Sequence, residues 1–253
     1  VAAARLRGVR VDGRQRPRLA DVDVDVPETG VVAIVGKNGS GKSTLLDVIL
    51  GRIRPGAGQV ALRGADPAAL DARERASRAA WLPQHPRIEQ GLTAIEVVMA
   101  SRYRFAEPRS RSAQQADAAL ASVGASAWRD APMSALSGGE AQRVRVAALI
   151  AQEAPVWLLD EPANHLDVAA TFDLVDRLRD AARDHAVVVV THDLGLLSAL
   201  PGDARVVGLV EGRVALDARL ADDDVADGLG AVLGLRVAAV HVEGRRFVAA
   251  GAR

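Results

Sequence analysis

Gly36-Lys37-Asn38-Gly39-Ser40-Gly41-Lys42-Ser43-Thr44 has the spacing G-x-x-x-x-G-K-S, which suits a polyphosphate. The glycines let successive backbone N–H groups converge on phosphate oxygens in conformations that a Cβ disfavours. Lys42 supplies a point charge for the β- and γ-phosphates, and the Ser43 hydroxyl a ligand for magnesium. Of the 32 basic residues only two are lysines, Lys37 and Lys42, and both lie in this loop. A compact ammonium fits a closed phosphate nest better than the wide arginine fork does. Downstream, Leu158-Leu159-Asp160-Glu161 closes an apolar run with two carboxylates. Asp160 is suited to hold the magnesium of a nucleotide, directly or through water, and Glu161 to take a proton from attacking water. In a third group, Leu136-Ser137-Gly138-Gly139-Glu140, Ser137 and Glu140 fit a capping box. Two glycines at that helix start cost up to about 1 kcal/mol each relative to alanine. With a serine hydroxyl beside them they suit a second phosphate at a helix N-terminus.

Such groups need a sheet and helix ends to hold them. Val31 to Val35 is a continuous apolar run and predicts a buried strand of a parallel sheet, followed after the loop by a helix running to Gly51. The positive end of that helix faces the same anion. Val156 to Leu159 and Ala186 to Val190 predict two more buried strands, the second ending in Thr191-His192-Asp193. Acidic residues at the carboxyl ends of such strands sit where open α/β sheets bind ligands. Residues 1–30 read as an antiparallel flap, because Val22 to Val26 alternates strictly with Asp. Gln59 to Arg63 reads as a short strand, and Ala68 to Ala80 as a polar helix. Pro83 and Pro86 follow a buried-looking Trp81-Leu82 pair and expose Gln84.

From about 88 to 152 the signals are helical, with capping boxes expected at Thr93–Glu96 and Ser112–Gln115 and a connecting loop over Arg104 to Arg111. A helix is expected from Asp167 to Asp184 with its apolar stripe at 168, 172, 175, 178 and 182. Val206 to Leu216 and Leu235 to Ala250 read as two hairpins.

Composition bounds the class. The 253 residues are 49% apolar, enough to bury a large core. Acidic and basic residues balance at 32 each, so nothing points to a nucleic-acid partner. Without cysteine there are no disulfides, thiolate metal sites or cysteine nucleophile. Apolar runs fall far short of the roughly 18 residues needed to span a bilayer. Arg5, Arg7 and Arg10 are followed by no apolar block, so no secretory leader is expected.

Taken together, Gly36 to Thr44, Gln84, Leu136 to Gly139, Leu158 to Glu161 and His192 stand in the order found in ATP-binding subunits of ABC transporters, and the chain resembles that family over about residues 5 to 225. The resemblance implies an α/β P-loop NTPase, with a RecA-like core bearing an antiparallel β flap and an inserted α-helical lobe. The ATPase domain would span 1–225, its core about 1–87 and 153–225 and its lobe about 88–152, with 226–253 a C-terminal hairpin extension. It also implies a homodimer in which two copies face head to tail. The P-loop of one copy and Ser137, Gly138, Gly139 and Glu140 of the other would then enclose each ATP. Gln84 resembles the glutamine that senses the γ-phosphate and magnesium, Asn164-His165-Leu166-Asp167 the loop crossing to the partner, and His192 the switch histidine on the γ-phosphate. Magnesium would rest on Ser43, Gln84 and Asp160.

One departure stands out. Family members usually stack an aromatic on adenine from the N-terminal strands, whereas residues 5–26 contain no Phe, Tyr, Trp or His. Either Val11 or a neighbour packs on the base, or adenine selectivity is loose and GTP is open to the site.

Trp81 to Gln84, Ser101-Arg102-Tyr103, Glu161-Pro162 with Asn164 to Asp167, and the C-terminal hairpin together resemble importers of iron-siderophores, haem or cobalamin. That resemblance implies an integral-membrane permease, an extracytoplasmic substrate-binding protein and a peripheral place on the cytoplasmic face of the membrane. The permease is expected to grip residues 84–104 with a short helix. An ABC-type ATPase of the iron–sulfur assembly kind, uncoupled from transport, and an exporter ATPase are the alternatives.

Overall fold

The computed structural model describes residues 2–84, 91–164, 166–242 and 245–251. The strands β1 (Ala2–Val11), β2 (Leu19–Pro27) and β3 (Gly30–Val35) lead into helix α1 (Lys42–Ile49), then β4 (Ala57–Leu62), α2 (Ala72–Arg78) and β5 (Ala79–Leu82). Helices α3 (Ala94–Ser101), α4 (Arg109–Ser122) and α5 (Gly138–Ala151) follow. The chain then returns through β6 (Val156–Asp160), α6 (Val168–Ala181), β7 (Ala186–Thr191), α7 (Leu194–Ala199), β8 (Arg205–Val210) and β9 (Arg213–Arg219). It closes with α8 (Val225–Leu233), β10 (Val237–Val242) and β11 (Arg245–Ala250).

Six strands form the main sheet in the order β5-β6-β7-β3-β8-β9, parallel except for the β8–β9 hairpin. The flap is an antiparallel sheet of order β2-β1-β4. The continuous apolar character of β3, β6 and β7 has a direct cause, since both faces of the sheet are covered. Val32, Ile34, Leu158 and Val188 pack with α1 and the flap, whereas Ala33, Val35, Leu159 and Val189 pack with α3 to α6. The strict alternation of β2 likewise puts Val22, Val24 and Val26 inside and Asp21 and Asp23 outside.

Four expectations need correction. The 68–80 segment is not one helix: Asp71 caps α2 in a box with Glu74, and from Ala79 the chain becomes strand β5, paired with β6. Sheet pairing overrides helix-compatible composition there. Helix α4 begins at Arg109 behind Pro108, inside the stretch read as a loop, so Ser112 caps nothing. Its hydroxyl donates instead to Glu107 Oε1 at 2.7 Å. On α6 the inward stripe is Leu174, Val175 and Leu178, while Val168 and Phe172 are exposed. The C-terminal strands do form a hairpin, but helix α8 precedes them, and the Ser198 hydroxyl holds β11 by donating to Val248 O and accepting from Val248 N. Ile88, His165, Glu243 and Gly244 lie outside the described residues.

Helices α3, α4 and α5 are tied at one corner by a buried ion pair. Arg102, 3% exposed, donates to both oxygens of Glu107 at 2.7 and 3.0 Å and to Ala151 O and Glu153 Oε1 at 2.7 Å each. Hydrogen bonds from Arg102 and then Ser112 hold the Glu107 carboxyl down at about 2. Its folded value lies below its ordinary 4.5, so its contribution is full above 4.5 and is lost as pH falls towards 2. Arg102→Ala removes the two strongest bonds to Glu107, leaving it the Ser112 hydroxyl and Arg111 at 3.6 Å, and is expected to lower Tm by roughly 6 °C or more. Thermal unfolding at neutral pH and again below pH 4 checks this: the deficit should shrink in acid.

Candidate nucleotide site

The loop Gly36–Gly41 joins β3 to α1 at the carboxyl end of the sheet. Gly41 has φ 110°, and a Cβ there would stand 2.6 Å from Arg18 O, so the loop is pressed against the turn between β1 and β2. Gly39, with φ 77°, faces open space within 4 Å of where its Cβ would be, leaving room for a ligand at the loop. Lys42 is 7% exposed and closes the loop by donating from Nζ to Gly36 O at 2.8 Å and Lys37 O at 3.1 Å. Burial lowers its pKa, and the charges of Glu161 and Asp160 partly offset that. A lysine held against two backbone carbonyls is a charge in waiting: both bonds can be exchanged for phosphate oxygens.

Sheet order then decides what lies on each flank. From β6, two strands away from β3, come Asp160 and Glu161. Asp160 Oδ1 is buried with no hydrogen-bond partner among the described residues. Burial raises its pKa, a hydrogen bond from Ser43 lowers it, and the neighbouring Glu161 charge raises it again. An orphaned carboxylate oxygen on Asp160, with the Ser43 hydroxyl beside the same carboxyl at the helix start, is a donor set that fits a hard divalent cation. Glu161 is 8% exposed and has φ 52°, a left-handed conformation uncommon for a side chain of its size. Its N–H still donates to Val190 O at 2.9 Å, so the sheet ladder fixes the kink. From β7 comes His192, whose Nδ1 lies 2.7 Å from Glu161 Oε1 while its side chain is 52% exposed. Thirty-one residues separate that pair in sequence.

Asn38, Gly39, Gly41, Lys42, Ser43 and Thr44 line one cavity of about 310 Å³ together with Gln84, Asp160 and Glu161. Gln84 is exposed just beyond β5. A larger cleft of about 860 Å³, between Gly30, Arg183 and Arg219, lies at the opposite end of the sheet and contains none of the motif residues. Lys37 differs from its neighbours. Its side chain is exposed, is absent from the cavity wall and lies where a Cβ on Gly234, after α8, would collide with it. Its backbone is what the loop uses. The Ser40 hydroxyl is buried without a hydrogen-bond partner among the described residues.

Ser137 caps α5 and forms a reciprocal box with Glu140, with Gly138 and Gly139 in the first turn. None of the four lines the cavity within one chain. Asp167 caps α6, accepting from Ala170 N at 2.7 Å. Two residues have no role in the sequence reading, although one of them, Gln142, lies in the stretch Leu136 to Arg143. Gln142, on α5 and 9% exposed, donates from Nε2 to Pro162 O at 2.6 Å and so ties this helix to the residue after Glu161. Arg18 lines the cavity from the β1–β2 turn. Val11, the expected contact for the base, is 4% exposed and packs inside the flap.

Residues 19–164 match the family described as ABC transporter. The chain is 40% identical to the hemin import ATP-binding protein HmuV of Rhodococcus jostii, over 86% of this chain and 75% of that protein. The chain belongs to the ABC transporter family. It is one of the ATP-binding, ATP-hydrolysing cassettes of that family. This cassette is also 36% identical to the achromobactin transport ATP-binding protein CbrD of Dickeya dadantii, over 70% of this chain and 68% of that protein. Its fold matches a bacterial ABC transporter cassette solved as a dimer, with TM-score 0.77 and 26% identity over 86% of this chain and 98% of the other. Among the described residues no helix is long and apolar enough to cross a membrane.

Proposed function

We propose that this cassette powers the import of a metal chelate, of the siderophore, haem or cobalamin kind, from the cytoplasmic face of a membrane permease. The observation that carries the hydrolytic half is the Glu161–His192 pair beside the loop of Lys42. With Nδ1–H donating, His192 orients Glu161, leaving the second carboxylate oxygen to accept a proton from water attacking the γ-phosphate. The exposed Nε2 of His192 is left for the γ-phosphate. Lys42 trades its carbonyl partners for β- and γ-oxygens, and loop amides with Thr44 hold the rest. Ser43, Asp160 and Gln84 would hold magnesium, whose charge offsets that developing on the transferred phosphoryl group.

The same reading takes two copies per functional unit. Ser137 to Glu140 line no part of their own chain's cavity, yet present a capped, glycine-bearing helix start suited to phosphate. Supplied by a partner copy, they close the site, and Asp167 on the neighbouring loop faces the same junction. Residues 1–225 then act as the cassette, with about 88–152 as its lobe.

Names of relatives support the transport half, together with the surface near Gln84. Of the apolar residues expected to receive the permease, Val98 is buried and Val97 and Met99 pack against the core. Tyr103 is 53% exposed and donates to Ala72 O, bridging α3 and α2. Tyr103→Asp should therefore abolish co-purification with a co-expressed permease while basal ATPase activity stays within about twofold. Unchanged association for this variant removes the groove from the account. A substrate-binding protein outside the membrane completes the importer.

A further inference from the structure

We infer that Arg18 takes the place of the missing aromatic and stacks its guanidinium plane on the nucleobase. The inference rests on the nucleotide reading of the cavity and concerns its opposite flank. Asp160 and Glu161 rise from β6, on one side of β3, and fix where the γ-phosphate and its metal belong. Arg18 lines the same cavity from the other side, where the β8–β9 turn stands. A triphosphate laid across the loop from the carboxylate flank therefore carries its base towards Arg18.

The turn that bears Arg18 is stitched to the loop through backbone. Ala20 N donates to Gly212 O at 2.8 Å, and Gly212 N donates to Ser40 O at 2.9 Å. A Cβ on Gly41 or on Gly212 would stand 2.6 or 2.7 Å from Arg18 O, so no side chain intervenes between turn and loop. Arg18 N donates to Val11 O at 2.8 Å, and the Arg18 stem runs past Gly13, where a Cβ would meet Arg18 Cγ at 3.3 Å. Further out, Arg16 pairs with Glu211 at 3.0 Å, which pins the turn tip to the β8–β9 turn. The guanidinium of Arg18 itself is exposed and has no hydrogen bond or ion pair among the described residues. A fixed backbone, a free planar cation and a cavity wall that holds no aromatic side chain among the described residues leave this group to meet the base.

Guanidinium planes stack on bases, and such stacking reads the π-face rather than the edge. Base selection should then be weak, with ATP and GTP bound within about threefold of one another. The competing role for Arg18 is a phosphate contact, which charge alone would serve.

Calorimetry on the full chain distinguishes them, using ATP, GTP and inorganic tripolyphosphate as probes with wild type, Arg18→Ala, Arg18→Lys and Arg18→Tyr. Stacking predicts that Arg18→Ala weakens ATP and GTP about tenfold, leaves tripolyphosphate unchanged, and is rescued by Tyr but not by Lys. Equal losses for nucleotide and tripolyphosphate with rescue by Lys, or no loss at all, overturn it. Failure of the cavity reading looks different: wild type itself then binds none of the three.

Discussion

Lys42→Ala is expected to cut ATP hydrolysis by at least about 100-fold. Among the described residues its Nζ donates to Gly36 O and Lys37 O, and both belong to the loop that must open towards phosphate. Truncation removes the charge that meets the β- and γ-oxygens and also takes the lysine donor from Gly36 O and Lys37 O, the latter keeping the N–H of Ser40. The second loss bears on loop order before any nucleotide arrives, so binding should weaken along with turnover. Lys42→Arg keeps the charge but brings a fork too wide for a nest closed by the backbone of Gly36 and Lys37, and should recover little activity. Steady-state phosphate release and equilibrium nucleotide binding measure the two effects. Near wild-type turnover in Lys42→Ala would remove Lys42 from the mechanism.

How far the sequence reveals this site depends on the range of the interaction. Buried strands are legible because burial on both faces leaves a continuous apolar run, as in Val31 to Val35, and burial on one face leaves alternation, as in Val22 to Val26. The loop is legible because its glycines, lysine and serine are consecutive. Strand β5 is not, since its first two residues are alanines that extend a capped helix equally well, and only pairing with β6 makes them a strand. The exposure of Val168 and Phe172 contradicts a helical stripe that fits the spacing well, because the register of α6 against the sheet follows Leu174 and Leu178 instead. Arg18 and Gln142 are invisible for a related reason. One sits in a polar turn and the other in an alanine-rich helix, and each acquires a role only through a backbone partner or a cavity wall supplied by a distant segment.

Glu161→Gln should lower hydrolysis by roughly 10²- to 10⁴-fold while leaving ATP binding intact. The amide keeps the volume of the carboxylate, stays within reach of His192 Nδ1 and cannot take the proton from water. His192→Ala removes the group that orients Glu161 and should cost less, since Glu161 keeps its backbone bond to Val190 and its place at the end of β6. A variant that binds but does not cleave should hold ATP in place. If two copies share each nucleotide, the trapped state is a dimer.

The central claim is that each ATP lies between the loop of Lys42 in one copy and the Ser137 helix of another. Mass by light scattering on Glu161→Gln, with and without ATP and magnesium, tests it directly. A monomer that becomes a stable dimer only with ATP, and fails to do so when Ser137 is also replaced by Arg, is the predicted result; a monomer under every condition would contradict it.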